Sequence, residues 1–234
     1  MKNPASGAQT MTAIVEDIIK ATEETIILMC RPDAPAGFAA GQFAYLQTET
    51  MEKPRPYSIA SAEGDALISF HIKTAPTSPT TEAFAQLKQG DSLTIDMPHG
   101  KSRLEKDVDT PLIAIAGGVG IAPIHSIITT AQAHNPARPV HLYWGCNTAD
   151  ELYLHDLFRK LDNANPHFLY TPVLLRPHQD FAAGLVGEHI EQAAHDWKNT
   201  DIYLAGPKGM MLHTLGILET LGVPEEKVHY DRFW

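Results

Sequence analysis

Arg55, Pro56, Tyr57 and Ser58 place a guanidinium, an aromatic face and a hydroxyl within four residues. A guanidinium fork matches phosphate oxygens. A tyrosine face stacks on a planar heterocycle. A serine hydroxyl can donate to a ring nitrogen that gains electron density. Pro56 fixes its own φ and biases Arg55 towards an extended backbone. In an extended segment Arg55 and Tyr57 point to one face and Ser58 to the other. The plainer reading of the same residues is a barrel strand with a surface arginine and a packed tyrosine.

Further along, Leu112–Ala116 is an apolar strand that runs into Gly117-Gly118-Val119-Gly120 and then Ile121-Ala122-Pro123. The glycines permit a tight turn and close backbone approach. The helix start beyond them offers unpaired N–H groups and a positive dipole end to a diphosphate. Pro123 suits a first helical turn, where a missing N–H costs nothing. Gly120-Ile121-Ala122-Pro123 departs from the full G-x-G-x-x-G fingerprint. A second strand, glycine turn and helix follow at Tyr203–Met211, through Gly206, Pro207 and Met210. Two such turns at one sheet edge predict a crevice for a dinucleotide. Each is also consistent with an ordinary turn in an α/β sheet. The aromatic end, Phe233-Trp234, either covers an apolar ring or packs a last strand.

These pieces need elements to hold them. Residues 11–99 alternate short apolar runs with Pro, Gly and Asp, which predicts a small antiparallel β-barrel with one helix, Thr80–Leu87, across an open end. Residues 101–110 are charged and polar and read as a boundary. Beyond them strands at 111–116, 140–144, 168–175, 201–204 and 228–230 alternate with helices at 122–133, 149–161, 186–194 and 208–221. That alternation predicts a doubly wound parallel sheet. The expected division is a flexible tail over 1–10, a barrel over 11–106 and an α/β domain over 107–234. Gly117, Gly145 and Gly206 each follow an expected strand, so all three fall at the edge where such sheets bind ligands.

Composition removes several function classes. Hydrophobic residues make up 44% of the 234 residues, enough for real cores, and charged residues 20%. The net charge is −10 with scattered Lys and Arg, which argues against nucleic acid and mildly against an acidic electron carrier. No apolar run has membrane-spanning length, and Met1–Thr10 lacks a signal-peptide core, so the expected location is the cytoplasm. Two cysteines, Cys30 and Cys146, cannot ligate a conventional iron–sulfur cluster. The twelve histidines show no HxxxH or HExxH spacing, so no metal site is expected.

At RPYSIAS, GDSLTIDMPHG, AGGVGIAPIHSI, LYWGCNTADELY and YLAGPKGMM, in that order, the chain resembles the ferredoxin–NADP reductase superfamily. It is most similar to small bacterial NAD(P)H:flavin oxidoreductases and to oxygenase reductases without their iron–sulfur domain. The resemblance implies a two-domain protein, a β-barrel flavin domain followed by an α/β nicotinamide nucleotide domain, that passes hydride from nicotinamide to flavin N5. The alternative it implies is an FAD-containing electron-transfer subunit serving a ferredoxin, haem or oxygenase partner on another chain. It assigns Arg55 to flavin phosphate, Pro56 and Tyr57 to the isoalloxazine wall, and Ser58 to the N5 region as a catalytic donor. It places the backbone of His71, Ile72 and Lys73 along the flavin. It gives the nucleotide diphosphate to Gly117, Gly118, Gly120, Ile121, Ala122 and Pro123, and the nicotinamide border to Gly206, Pro207 and Met210. Asp231 is implied as a catalytic acid near the reacting carbon, and Phe233 or Trp234 as a shield.

Three departures bear on cofactor choice. Thr77-Ser78-Pro79-Thr80-Thr81 lacks the glycine of the family's FAD diphosphate turn, which leaves Thr80 and Thr81 as donors and admits FMN or free flavin beside FAD. Ala205 stands where the family's cysteine is usual. Asn147 stands where an arginine would meet a 2′-phosphate, which favours NADH over NADPH.

Overall fold

The computed structural model describes residues 7–233. Six strands form one antiparallel sheet: β1 (Gln9–Thr22), β2 (Thr25–Pro32), β3 (Phe43–Gln47), β4 (Arg55–Ser58), β5 (Ile68–Lys73) and β6 (Ser92–His99), in the order β4-β3-β6-β1-β2-β5. The sheet curls until its two edge strands nearly meet. Ile59 bridges Phe70, and the Ala60 N–H donates to the Ser69 carbonyl at 2.8 Å. The barrel is therefore almost closed, and its seam runs between β4 and β5. Alternation along β5 sends Ile68, Phe70 and Ile72 into the barrel core and leaves His71 and Lys73 outside, at the seam. Helix α1 (Pro79–Ala85) buries Phe84 in the same core. Gln9 and Thr10 pair with Met97 and Asp96, so the sheet begins two residues ahead of the expected barrel start.

The second sheet holds β7 (Leu112–Gly117), β8 (Val140–Cys146), β9 (Phe168–Leu174), β10 (Ala182–Ala183), β11 (Asp201–Ala205) and β12 (Val228–His229), in the order β10-β9-β8-β7-β11-β12. Its strand pairs are parallel. Every residue of β7 is buried, as a parallel strand covered on both faces requires. Helices α2 (Ile121–His134) and α3 (His155–Ala164) cover one face, and α4 (Val186–Glu191) and α5 (Lys208–Thr220) the other. Strand order runs one way from β7 to β10 and the other way to β11 and β12. The reversal lies between β7 and β11, and doubly wound sheets bind ligands beyond the strand ends at that point.

One expected helix is wrong at its start. The helix read over Ala149–Leu161 begins only at His155, after a single short turn at Ala149–Glu151. Leu152 has φ −83° and ψ 53°, which is not helical. The break buries Leu152 and turns Tyr153 towards Trp144, whose ring meets it edge-on at 5.5 Å. A tertiary aromatic contact has overridden local helical preference.

The charged stretch read as a boundary is pinned down. Glu105 N–H donates to the Tyr203 hydroxyl at 2.9 Å, and Arg138 Nη1 donates to the Glu105 carbonyl at 2.8 Å. Arg138 and Asp201 are both buried and pair at 3.2 Å. Lys227 Nζ reaches the other Asp201 oxygen at 2.9 Å, and Thr110 donates to the carboxylate as well. Burial alone would raise the Asp201 pKa, but the hydrogen bonds from Thr110 and Lys227, the lysine charge and the nearby His229 ring outweigh it and hold the carboxyl well below its usual range.

Helix α2 joins the two halves along its flank. His125 Nδ1 donates to the Ala60 carbonyl at 2.8 Å, Ser126 Oγ to the Ser61 carbonyl at 2.6 Å, and Thr130 Oγ1 accepts from Glu63 N–H at 3.1 Å. Its opposite side presents Ile121, Ile124 and Ile128 to the sheet.

Candidate active site

A cleft of about 1150 Å³ opens where the barrel seam meets the switch point of the parallel sheet. Drug-sized ligands fill pockets of roughly 300–1,000 Å³, so this cleft has room for more than one ring system. One wall is the barrel edge, with Pro56, Tyr57 and Ser58 from β4 and His71 and Lys73 from β5. The other is built by the two glycine turns, Gly117–Gly120 with Ala122 and Pro123, and Ala205–Pro207 with Gly209 and Met210. The far end carries Asn147, Thr148, Asp150 and Glu151 beyond β8, and Glu23 and Glu24 from the β1–β2 hairpin.

Sequence dictates how close the turns come. Ala116 pairs with Ala205, so Gly117 and Gly206 leave the sheet side by side. A Cβ on Gly206 would lie 3.1 Å from Gly117 N and 2.8 Å from Met210 Cε. A Cβ on Gly120 would lie 2.6 Å from the Ala205 carbonyl carbon and 2.7 Å from Gly206 Cα. Gly118 has φ +51°, open space where its Cβ would be, and a carbonyl that accepts from Trp144 Nε1 at 3.0 Å. The turns are thus packed backbone to backbone, with the cleft side of Gly118 left open.

On the barrel wall Tyr57 is half-buried, its ring edge-on to Phe84 at 5.0 Å. Burial pushes its phenol up to about 12, against a smaller lowering by the Arg55 charge. The Ser58 hydroxyl makes no hydrogen bond among the described residues and lines both the cleft and a recess of about 30 Å³ shared with Gly206, Asp231 and Phe233. Phe233 is half exposed and stands edge-on to Phe43 at 5.1 Å.

Several expected residues sit apart from the cleft. Arg55 is exposed at the start of β4 and is not part of the cleft walls. The Ile72 side chain belongs to the barrel core, which leaves only its backbone at the seam. Ile121 is buried beneath the glycine turn. Thr80 and Thr81 do not line the cleft. Thr81 Oγ1 accepts from Ser78 N–H at 2.8 Å while Ser78 Oγ accepts from Thr81 N–H at 3.2 Å, a capping box that occupies both hydroxyls. The Asp231 carboxylate accepts from Lys101 N–H at 2.9 Å and Ser102 N–H at 3.4 Å, which ties the C-terminal segment to the barrel exit. Trp234 lies outside the described residues.

Two cleft features were not read from the sequence. Tyr153 was hidden inside an expected helix. Glu151 was passed over, although it accepts from Asn147 Nδ2 at 3.0 Å at the end of β8, where a nucleotide ribose binds in such sheets. Cys146 also lines the cleft, but burial, with Glu151 adding, pushes its thiol up to about 12, so it stays protonated at neutral pH. No group of three or more His, Cys, Asp or Glu suited to a metal occurs among the described residues.

Comparison with known proteins agrees with this layout. The oxidoreductase FAD-binding domain matches residues 13–104, and the oxidoreductase NAD-binding domain matches residues 114–215. The NAD(P)H-flavin reductase of Vibrio harveyi is 31% identical over 84% of this chain and 86% of its own length. The chain belongs to the ferredoxin–NADP reductase superfamily. The reductase component of the naphthalene 1,2-dioxygenase system of Pseudomonas putida is 28% identical over 97% of this chain and 70% of its own length. The Amycolatopsis cytochrome P450 reductase superimposes with a TM-score of 0.90 at 26% identity, covering 97% of this chain and 70% of that one. Members of this superfamily carry a flavin on the barrel and a nicotinamide nucleotide on the sheet. The residues present fit both groups: an aromatic face and an unpartnered hydroxyl on one wall, and open glycine backbone on the other.

Proposed function

We propose that this protein is an NAD(P)H-dependent flavin reductase that prefers NADH and takes riboflavin or FMN as a loosely held substrate. One observation carries the reading. A single cleft touches the Tyr57–Ser58 strand and both glycine turns, so two planar rings can lie face to face in it. A bound flavin supplies a two-electron acceptor for the nicotinamide hydride. The chain's part is orientation: Tyr57 and Pro56 set the plane of one ring, and Gly206, Pro207 and Met210 that of the other. Ser58 offers its unpartnered hydroxyl to the ring nitrogen that gains charge. Asp231 acts by positioning, holding the segment that carries Phe233 against the barrel. Phe233 covers the cleft until the nucleotide enters.

The capping box supports loose binding, because the hydroxyl of Thr81, one of the two expected phosphate donors, is already bonded to Ser78. Glu151 supports NADH, since a carboxylate accepts from a ribose 2′-OH and repels a 2′-phosphate. No helix among the described residues is long and apolar enough to cross a membrane, and we place the protein in the cytoplasm. A second reading, an electron-transfer subunit with firmly bound FAD and a separate redox partner, is favoured by the match of 97% of this chain to a dioxygenase reductase component. Exhaustive desalting separates the two. A colourless protein that oxidises NADH with added riboflavin or FMN supports the first, and a stoichiometric retained flavin the second.

Two substitutions test the walls. Ser58→Ala is expected to slow flavin reduction about tenfold, the cost of one hydrogen bond to a charged group, with unchanged NADH affinity. Stopped-flow absorbance measures the rate, and an unaltered rate removes Ser58 from the reaction. Arg55→Ala is expected to weaken FMN by roughly three- to tenfold, as an exposed charge–phosphate contact does, and to leave riboflavin untouched. Equal losses for both flavins contradict a phosphate contact.

A further inference from the structure

A hydrogen bond crosses the cleft floor from one half of the molecule to the other. Tyr153, in the break before α3, places its hydroxyl 2.9 Å from Nδ1 of His71 on β5. Both side chains line the cleft. His71 is only 6% exposed. The Tyr153 ring is fixed on its other side by Trp144, edge-on at 5.5 Å, and the Trp144 indole N–H donates to the Gly118 carbonyl. A continuous line of contacts therefore joins the flavin wall to the glycine turn.

The direction of the His71–Tyr153 bond follows from chemistry. Burial, with the neighbouring His125 adding, lowers the His71 pKa to about 3, so the ring is neutral at pH 7 and carries one N–H. Burial pushes the Tyr153 phenol far above its ordinary value, so it keeps its proton. The Tyr153 hydroxyl has no other hydrogen-bond partner among the described residues. If Nδ1 donated, the Tyr153 O–H would have no acceptor among the described residues, whereas a phenol that donates satisfies both its own proton and the Nδ1 lone pair. That leaves Nε2 holding the imidazole proton.

We propose that Tyr153 is a positioning residue that fixes His71 as the neutral Nε2–H tautomer, so that the barrel wall presents an uncharged hydrogen-bond donor to an acceptor atom of the planar ring bound in the cleft. The inference rests on the flavin-reductase reading for the identity of that ring. The tautomer itself does not.

The test therefore has two arms. Long-range ¹H–¹⁵N correlation spectra of the ligand-free protein at pH 7 report which His71 nitrogen is protonated. The expected result is an unprotonated Nδ1 and a protonated Nε2 in the wild type, and a shift towards the Nδ1–H form in Tyr153→Phe. A protonated Nδ1 in the wild type overturns the proposal, as does a tautomer unmoved by Tyr153→Phe. The second arm measures NADH oxidation with riboflavin. Tyr153→Phe and His71→Leu are each expected to lower kcat about tenfold, with the KM for NADH changed less than about twofold. His71→Gln, whose amide can donate from the Nε2 position, is expected to restore the rate to within about threefold of wild type. Failure of glutamine to rescue where leucine fails overturns the donor role. If the wild type itself reduces no flavin, the functional reading fails, and the spectra alone decide whether Tyr153 sets the tautomer.

Discussion

Gly120→Val is expected to lower kcat/KM for NADH at least about a hundredfold while riboflavin binding stays within twofold. Any side chain at this position meets backbone, with the Ala205 carbonyl carbon at 2.6 Å and Gly206 Cα at 2.7 Å. Neither can rotate away, unlike the flexible Met210 beside Gly206. The 118–121 turn must then move outwards from β11. On the proposed reading that turn holds the nucleotide, and a displacement of about 1 Å in a positioning group costs on the order of a hundredfold in rate. No residue of the barrel wall is altered, so riboflavin affinity, read by flavin fluorescence quenching, serves as the internal control. Gly216 on α5, with nothing within 4 Å of an added Cβ, supplies the contrasting substitution Gly216→Ala, which is expected to leave kinetics unchanged. Near-wild-type NADH kinetics in Gly120→Val would show that the nucleotide does not use this turn.

Asp201→Asn is expected to cost about 3 kcal/mol of stability, the loss seen when one partner of a buried ion pair is neutralised. For a chain of this size that lowers Tm by roughly 6–12 °C. The asparagine keeps the shape and one acceptor oxygen but removes the negative charge, so the buried Arg138 guanidinium is left with neutral partners, the Thr110 and Glu105 carbonyls among them. The pH dependence has a definite sign. The Asp201 carboxyl is held below its unfolded value, so its contribution is complete above about pH 4, the unfolded carboxylate pKa, and is lost as pH falls below that towards the folded pKa. Thermal melts of both proteins from pH 7 to pH 3 should show the gap between them narrowing only at the acid end. A gap already closed at pH 6 would contradict the assignment.

The features legible in the sequence were those that local chemistry encodes. Gly117, Gly118, Gly120 and Gly206 announce turns because no other residue permits that backbone approach. The alternation around Phe70 and Ile72 announces a barrel strand, and the buried run Leu112–Gly117 a parallel one. The order of the strands and turns was enough to place both glycine turns at one edge. The parts that were not legible depend on partners distant in the chain. Tyr153 read as helical because its neighbours favour helix; only His71, on another sheet, and Trp144 explain why it leaves. Thr81, expected beside Thr80 as a phosphate donor, belongs instead to a capping box with Ser78, because hydroxyls that cap a helix and hydroxyls that bind a phosphate look alike until their partners are known. Arg138 and Asp201 gave no signal at all, since a buried ion pair is a property of two positions far apart and of neither alone.

Helix α2 has two duties. Its first turn continues the glycine loop, and its flank is bonded to the barrel at Ala60, Ser61 and Glu63. The same rigid rod thus carries one ring's seat and is fastened to the other's foundation. In this structure the gap between the two seats is gauged by the rod and its fastenings. Loosening any one of those three ties would therefore be felt as a change of spacing between the two seats, with no residue of either seat altered.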